Sequence, residues 1–460
     1  MHRFLAASLL CCLTGCNSID RATHVASGFV SHQLCSATFV SGLDPEQYYR
    51  EAIAPTLRPL SFLSSHAVDV KDREVSATFA GLAQARAVYR GSLGCLVTSG
   101  DAPAAAAPQA EPAPALLPEI GGRDVVEPAD PALKAALERA FAENPEPPYR
   151  QTKAVVVVHD GRIIAERYAA GYGIDTPLLG WSMTKSVTNA LLGILVRQGK
   201  LDMNVPAAIA AWAGPADPRH AITPDNLLRM NSGLDIGQSM TANAGTAFDP
   251  TAYMVFGGVR DMAAFTERAP LRATPGTWWN YTNGNTLLLS RIIRDNAGGN
   301  PAGVLAFAHR ELFDKLGMKH VTLEFDAAGT PIGGSHMFAS ARDWAKFAML
   351  YLNDGVMGAE RILPEGWVDY STAQTPGSGF YGYGAGFWTN RGGGPGAEYR
   401  IAHGMPADAF MARGSGGQYA IVVPSQRLVV VRMGPAFTPR DDMDVVAHLV
   451  ADIIAQLPNL

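Results

Sequence analysis

The chain has 460 residues, 47% hydrophobic and 17% charged, with a formal net charge of −5. That length predicts two or three domains and supplies apolar material for a large core. The 37 Lys and Arg form no basic stripe, which argues against nucleic acid as a partner.

Met1-His2-Arg3 is a short positive start, and Phe4 to Leu13 is an apolar run of ten residues. That run is half of the roughly 20 residues a membrane-spanning helix needs. Leu13-Thr14-Gly15-Cys16 follows, and the whole segment resembles a bacterial lipoprotein signal. The resemblance implies that residues 1–15 are removed and that Cys16 carries a lipid as the new N-terminus. The mature chain would then sit in the cell envelope on the periplasmic side of the outer membrane, touching the bilayer only through that anchor. The alternative is an ordinary signal cut nearby without lipidation.

Residues 16–100 form an expected N-terminal accessory module, with rough strand and helix patterning from Val70 to Ala83. With Cys11 and Cys12 in the signal and Cys16 as anchor, two of the five Cys remain, Cys35 and Cys95. Two leftover Cys in an exported chain predict one disulfide, the alternative being two buried thiols. Residues 101–118 are rich in Ala and Pro, a composition that cannot bury a core and reads as a semi-rigid linker.

The second module, 119–460, opens with a helical pattern from Pro131 to Asn144. Ala154 to His159 and Arg162 to Tyr168 are β-rich runs joined by Asp160-Gly161, a strong hairpin signal. A second hairpin, Gln418 to Val423 and Leu428 to Met433, flanks Pro424 to Arg427, and a final helical pattern runs from about 441 to 456. Residues 186–350 are mostly helical in pattern. The expected fold class is α+β: an antiparallel sheet flanked by helices, plus a mostly helical subdomain.

Trp181-Ser182-Met183-Thr184-Lys185-Ser186 starts the apolar run Val187 to Val196. A helix beginning near Ser182 puts Lys185 one turn on, on the same face. A serine hydroxyl becomes a good nucleophile when a base removes its proton, and a lysine serves as that base when burial keeps it neutral. Of the eight lysines, Lys185 alone has a serine three positions earlier. Pro275 to Asn283 holds the second element, Tyr281-Thr282-Asn283. Its phenol can relay protons and its amide can bind a substrate carbonyl. Tyr351-Leu352-Asn353 has the same spacing but lies inside a helical run, which points to packing.

Together these motifs resemble the serine β-lactamase-related family, which includes class C β-lactamases, D-alanyl-D-alanine carboxypeptidases, esterases and 6-aminohexanoate-oligomer hydrolases. Gln198 to Asp202, Ile222 to Leu234 and Gly333-Gly334 through Asp343 add to the likeness. The resemblance implies a β-lactamase/transpeptidase-like fold, with catalytic Ser182, Lys185 and Tyr281 and with Asn283, Gly414, Ser415 and Gly416 at the substrate. It implies an oxyanion hole from the backbone N–H groups of Ser182 and Ser415. The third family motif departs from pattern: where a Lys-Thr-Gly is expected, the best alignment is Ala412-Arg413-Gly414, without the lysine that helps hold a substrate carboxylate. Arg413, one residue on, would point to the opposite face of a strand. Loss of that cation favours an ester or small linear amide over a β-lactam or a D-alanyl peptide. No cofactor or metal is expected, since no His-x-x-x-His or His-x-His spacing occurs.

A Ser-His-Asp arrangement is the weaker catalytic alternative. Ser182 lacks the second glycine of a nucleophile elbow, and His336 and His403 are the histidines in glycine-rich loops. Phe380 to Trp388 either lines the substrate site or packs as aromatic core. A non-catalytic envelope binding protein is the alternative of another kind.

Overall fold

The computed structural model describes residues 2–98, 103, 113–239 and 244–457, with side chains from Ser18 onward. Cys16 and the expected signal lie outside the described side chains, and most of the expected linker lies outside the described residues. No helix among the described residues is long and apolar enough to cross a membrane.

Helix α1 spans His2–Phe39. It packs on a four-stranded antiparallel sheet of β1 (Ser64–Asp69), β2 (Glu74–Phe79), β3 (Ala83–Tyr89) and β4 (Cys95–Thr98), in that order. Strands β2 and β3 alternate, so Val75, Ala77, Ala85 and Ala87 face a small core with Val30, Leu34 and Ile53. A core of that size stabilises little by itself. The Cys35–Cys95 disulfide pins α1 to β4 across it.

The larger sheet is six-stranded and antiparallel, built from β5 (Ala154–His159), β6 (Arg162–Tyr168), β10 (Trp388–Thr389), β11 (Phe410–Gly414), β12 (Gln418–Val423) and β13 (Leu428–Met433) in the order β10-β11-β12-β13-β5-β6. Both expected hairpins are present, and they meet where β13 pairs with β5. The run Val155 to Val158 is apolar throughout because both faces are covered. Val155 and Val157 face a core with α2 (Pro131–Phe141) and the C-terminal helix Met443–Ile454. Val156 and Val158 face the other core, with α3 (Thr184–Arg197) and the helix Ala341–Leu352. Helix α3 is buried from Thr184 to Leu195, which explains its apolar run on every side.

A small sheet places the Ser182 turn. Its strands β7 (Leu178–Leu179) and β8 (Val321–Leu323) both pair with β9 (Met337–Ala339). Two glycines let the main chain close around that turn. A Cβ on Gly414 would lie 2.1 Å from the carbonyl oxygen of Gly180, and one on Gly180 would lie 2.3 Å from the Trp344 ring.

Two outcomes follow for stability. Mass spectrometry of the unreduced protein should find Cys35 and Cys95 in one cross-linked peptide pair. With a sequence separation of 60, Cys95→Ser should cost up to about 4 kcal/mol in denaturant unfolding on the chain-entropy model. Gly414→Ala drives a methyl into backbone that cannot retreat, so a loss of about 1–3 kcal/mol is expected by the same measurement. An unchanged unfolding midpoint would show that the contact yields.

Candidate active site

Ser182 sits in a 3₁₀ turn, Trp181–Met183, that runs directly into α3. Trp181 has φ +47°, the left-handed region, which is costly for a bulky residue. The surroundings hold it there. Its ring packs against Phe29 of α1, at 6.5 Å between centroids, and against Phe256 and His336. Thr184 donates to the Trp181 carbonyl and accepts from the Met337 N–H, which ties the turn to β9.

Lys185 lies one turn beyond Ser182, 1% exposed. Its Nζ is 3.0 Å from Ser182 Oγ, 2.6 Å from Asn283 Oδ1 and 2.7 Å from the carbonyl oxygen of Gly334. Burial of the amine lowers its pKa to about 7. Desolvation penalises the ammonium and leaves the neutral amine untouched, so the direction follows from position alone.

Tyr281 presents its ring to Lys185, with Nζ 4.8 Å from the ring centroid. Burial raises the phenol well above its usual pKa, opposed by the nearby Ser182 hydroxyl and Arg413, so the side chain is neutral. Its hydroxyl is buried beside that of Ser182. Asn283 is not on the loop with Tyr281. It is the first residue of a helix, Asn283–Asn296, capped by Thr282.

Ser182, Asn283 and Ser415 line one cleft of about 80 Å³, walled further by Gln238, Ser239, Asp249 and Phe256. The third-motif residues divide. Ser415 reaches the cleft. Gly414 is the backbone contact to Gly180 described above. Gly416 belongs to the β11–β12 turn, its carbonyl accepting from Gln418 and Ala436. Arg413 does not line the cleft; it donates to Asp441 at 2.9 Å, with its guanidinium 5.0 Å from the Trp388 ring and close enough to Tyr281 to act on its phenol.

The aromatic segment from Phe380 resolves as core. Tyr383 and Trp388 are buried, each with its ring centroid 5.4 Å from that of Tyr281. Phe380 is exposed. Tyr351 is a packing residue, its hydroxyl donating to Asn189 at 2.6 Å. His403 contacts the Tyr399 carbonyl and the Tyr399 ring, away from the cleft. His336 lies just behind the site, where burial, His32 and Lys185 hold it well below its usual pKa.

Sequence patterning missed two contributors. The Gly334 carbonyl was one, although Gly333-Gly334 marks the place: a Cβ on Gly333 would lie 2.5 Å from Ser290 Oγ and Thr188 Oγ1. Helix α1 was the other. A Cβ on Gly28 would lie 1.8 Å from the Phe256 carbonyl oxygen, so the first module packs directly against the cleft wall.

Comparison with known proteins bears on the family and the fold. The family model described as Beta-lactamase matches residues 137–455. A 6-aminohexanoate-dimer hydrolase of Paenarthrobacter ureafaciens is 26% identical over 261 residues, 54% of this chain and 65% of that relative's length. A penicillin-binding protein homologue from Caulobacter crescentus superposes with TM-score 0.54 at 17% identity, covering 73% of this chain and all of that one. A D-stereospecific amidohydrolase from Streptomyces sp. gives TM-score 0.51 at 21% identity, covering 69% and 98%. The fold is therefore β-lactamase/transpeptidase-like, and the chain belongs to the beta-lactamase family of hydrolases.

Proposed function

We propose that the chain is a serine hydrolase that cleaves ester or small linear amide bonds through an acyl-enzyme, with Ser182 as nucleophile and Lys185 as base. The observation that carries this reading is the set of partners around Lys185. A neutral amine has two hydrogens and one lone pair. Two of its neighbours, Asn283 Oδ1 and the Gly334 carbonyl, only accept. They take both hydrogens and leave the lone pair for the Ser182 hydroxyl at 3.0 Å, which then donates. After proton transfer the ammonium has three hydrogens for the same three oxygens.

In this mechanism the Ser182 proton passes to Lys185 as Oγ bonds to the substrate carbonyl carbon. The oxyanion is held by the N–H groups of Ser182 and Ser415, a contribution of about 3 kcal/mol per donor in comparable sites. The tetrahedral species collapses, and the leaving alcohol or amine takes the proton through the Tyr281 phenol, which lies beside the Ser182 hydroxyl. Water, activated by the same pair, releases the acid. No cofactor enters these steps.

The cleft supports the substrate class. Its described lining has no Lys or Arg and carries the Asp249 carboxylate. A substrate carboxylate, as in a β-lactam or a D-alanyl peptide, has no cation to meet there. The 26%-identical relative is named for a linear amide, the 6-aminohexanoate dimer.

The test is hydrolysis of a short-chain p-nitrophenyl ester, the 6-aminohexanoate dimer and a penicillin. Ser182→Ala and Lys185→Ala should each lose a hundredfold or more in kcat, on the order expected for removing a nucleophile or its base. The base acts when neutral, so kcat/KM should rise with pH through about 7 and fall away below it. A fully active Ser182→Ala would sink the nucleophile assignment, and efficient penicillin turnover would overturn the substrate class.

We also propose that the chain is exported and anchored through a lipid on Cys16, from the signal-like residues 1–15. Labelled palmitate should enter the wild-type protein in a bacterial host and be lost with Cys16→Ser. Equal labelling of both would refute the anchor.

A further inference from the structure

Behind the cleft, three buried side chains from distant parts of the chain meet. His32 of α1 is 2% exposed, Glu324 0% and His336 1%, and one donor atom from each lies within 4.8 Å of the others. No local spacing announces the cluster, since His32 and Glu324 are 292 residues apart. None of the three has a role in the acyl-transfer steps above.

We propose that His32, Glu324 and His336 form a binding site for one divalent cation of the zinc type, clamping the N-terminal module to the hydrolase core. Two imidazoles and a carboxylate are a zinc donor set, which a water or hydroxide completes to four. The outer contacts already fit such a site, because a metal-bound imidazole or carboxylate has its other atom held by a neighbour. His336 Nδ1 lies 2.6 Å from Ser335 Oγ, while Nε2 is buried with no partner. With Nδ1–H donating to Ser335, Nε2 carries a lone pair and nothing to give it to.

Glu324 is held in the same manner. Its Oε1 accepts from Ser36 Oγ and from the Cys95 N–H, each at 2.8 Å, and its Oε2 is the oxygen turned to His32 Nε2 at 2.6 Å. A Cβ on Gly94 would lie 2.4 Å from Glu324 Cγ, so that glycine makes room for the side chain. His32 Nδ1 meets the Gln33 amide at 3.2 Å, and the other end of that amide meets the Tyr48 hydroxyl at 3.1 Å. Turning the amide over lets Gln33 accept from Nδ1–H and donate to Tyr48, which frees His32 Nε2 as a ligand. The ion would replace the proton now shared between His32 and Glu324. Its charge is met by Glu324, with Arg90, Asp326 and Lys185 the other charged or titratable groups near.

The experiment uses the purified chain, made without a histidine tag, stripped with a chelator and titrated with cobalt(II) alone and zinc alone. One equivalent per chain is expected, with the visible absorption of a low-coordinate cobalt site and a higher melting temperature in zinc. His336→Gln and His32→Gln should weaken binding at least tenfold and abolish the zinc-dependent shift in melting temperature. Should those variants fail to fold, X-ray absorption on zinc-loaded wild type decides: two imidazole nitrogens support the site. Overturning results are no retention by wild type above the His336→Gln background, or a bound ion lacking imidazole. The three side chains would then be a hydrogen-bonded lock without an ion.

Discussion

Everything at this site turns on one buried amine. Taking a lysine ammonium out of water costs several kcal/mol unless partners compensate, and Lys185 has three oxygens around it, none of them a carboxylate. The charged form is therefore penalised while the neutral form is fully bonded. The fold must bring Asn283 from one helix start and Gly334 from a loop before β9 to the same amine, and it does so by packing α3 between them. A carboxylate in place of either oxygen would pair with the ammonium and remove the base that the proposed mechanism needs.

The tight backbone around Ser182 follows from the same need. The turn is held from three sides: by β9 through Thr184, by β11 through the Gly414–Gly180 contact, and by rings on Trp181. The strained φ of Trp181 persists because those contacts leave it no alternative. In the proposed mechanism that rigidity holds Oγ where the lone pair of Lys185 can reach its proton.

The first module belongs to this frame. Helix α1 places Phe29 on Trp181 and Gly28 against Phe256, and Lys153 bonds Glu51 at 2.7 Å across the two modules. The small sheet and its disulfide thus steady a helix that forms part of the cleft wall. Its own core is small, and its docking on the hydrolase core supplies apolar contact that the module lacks alone.

Local signals were legible wherever local chemistry decides structure. Asp160-Gly161 forms the expected hairpin, and Gln418 to Met433 forms the second with the expected strand limits. Ser182 and Lys185 share a face because their spacing is one helical turn. The Cys35–Cys95 pairing followed from elimination and is present. What stayed hidden depends on contacts distant in sequence. The Gly334 carbonyl has no side-chain signature, because any residue carries that oxygen and only packing against Thr188 and Asn283 aims it. Arg413 stays out of the cleft lining because its guanidinium is held by Asp441 and stacked over the Trp388 ring, contacts that exist only once the sheet has packed. The meeting of His32, Glu324 and His336 has no spacing to detect, since three separate segments supply it. The sequence by itself determined the hairpins, the central helix and the Ser–Lys pair, all set by period and turn chemistry. Tertiary structure alone decided which backbone oxygens meet the amine and that the N-terminal helix walls the cleft, because those contacts exist only once distant segments pack.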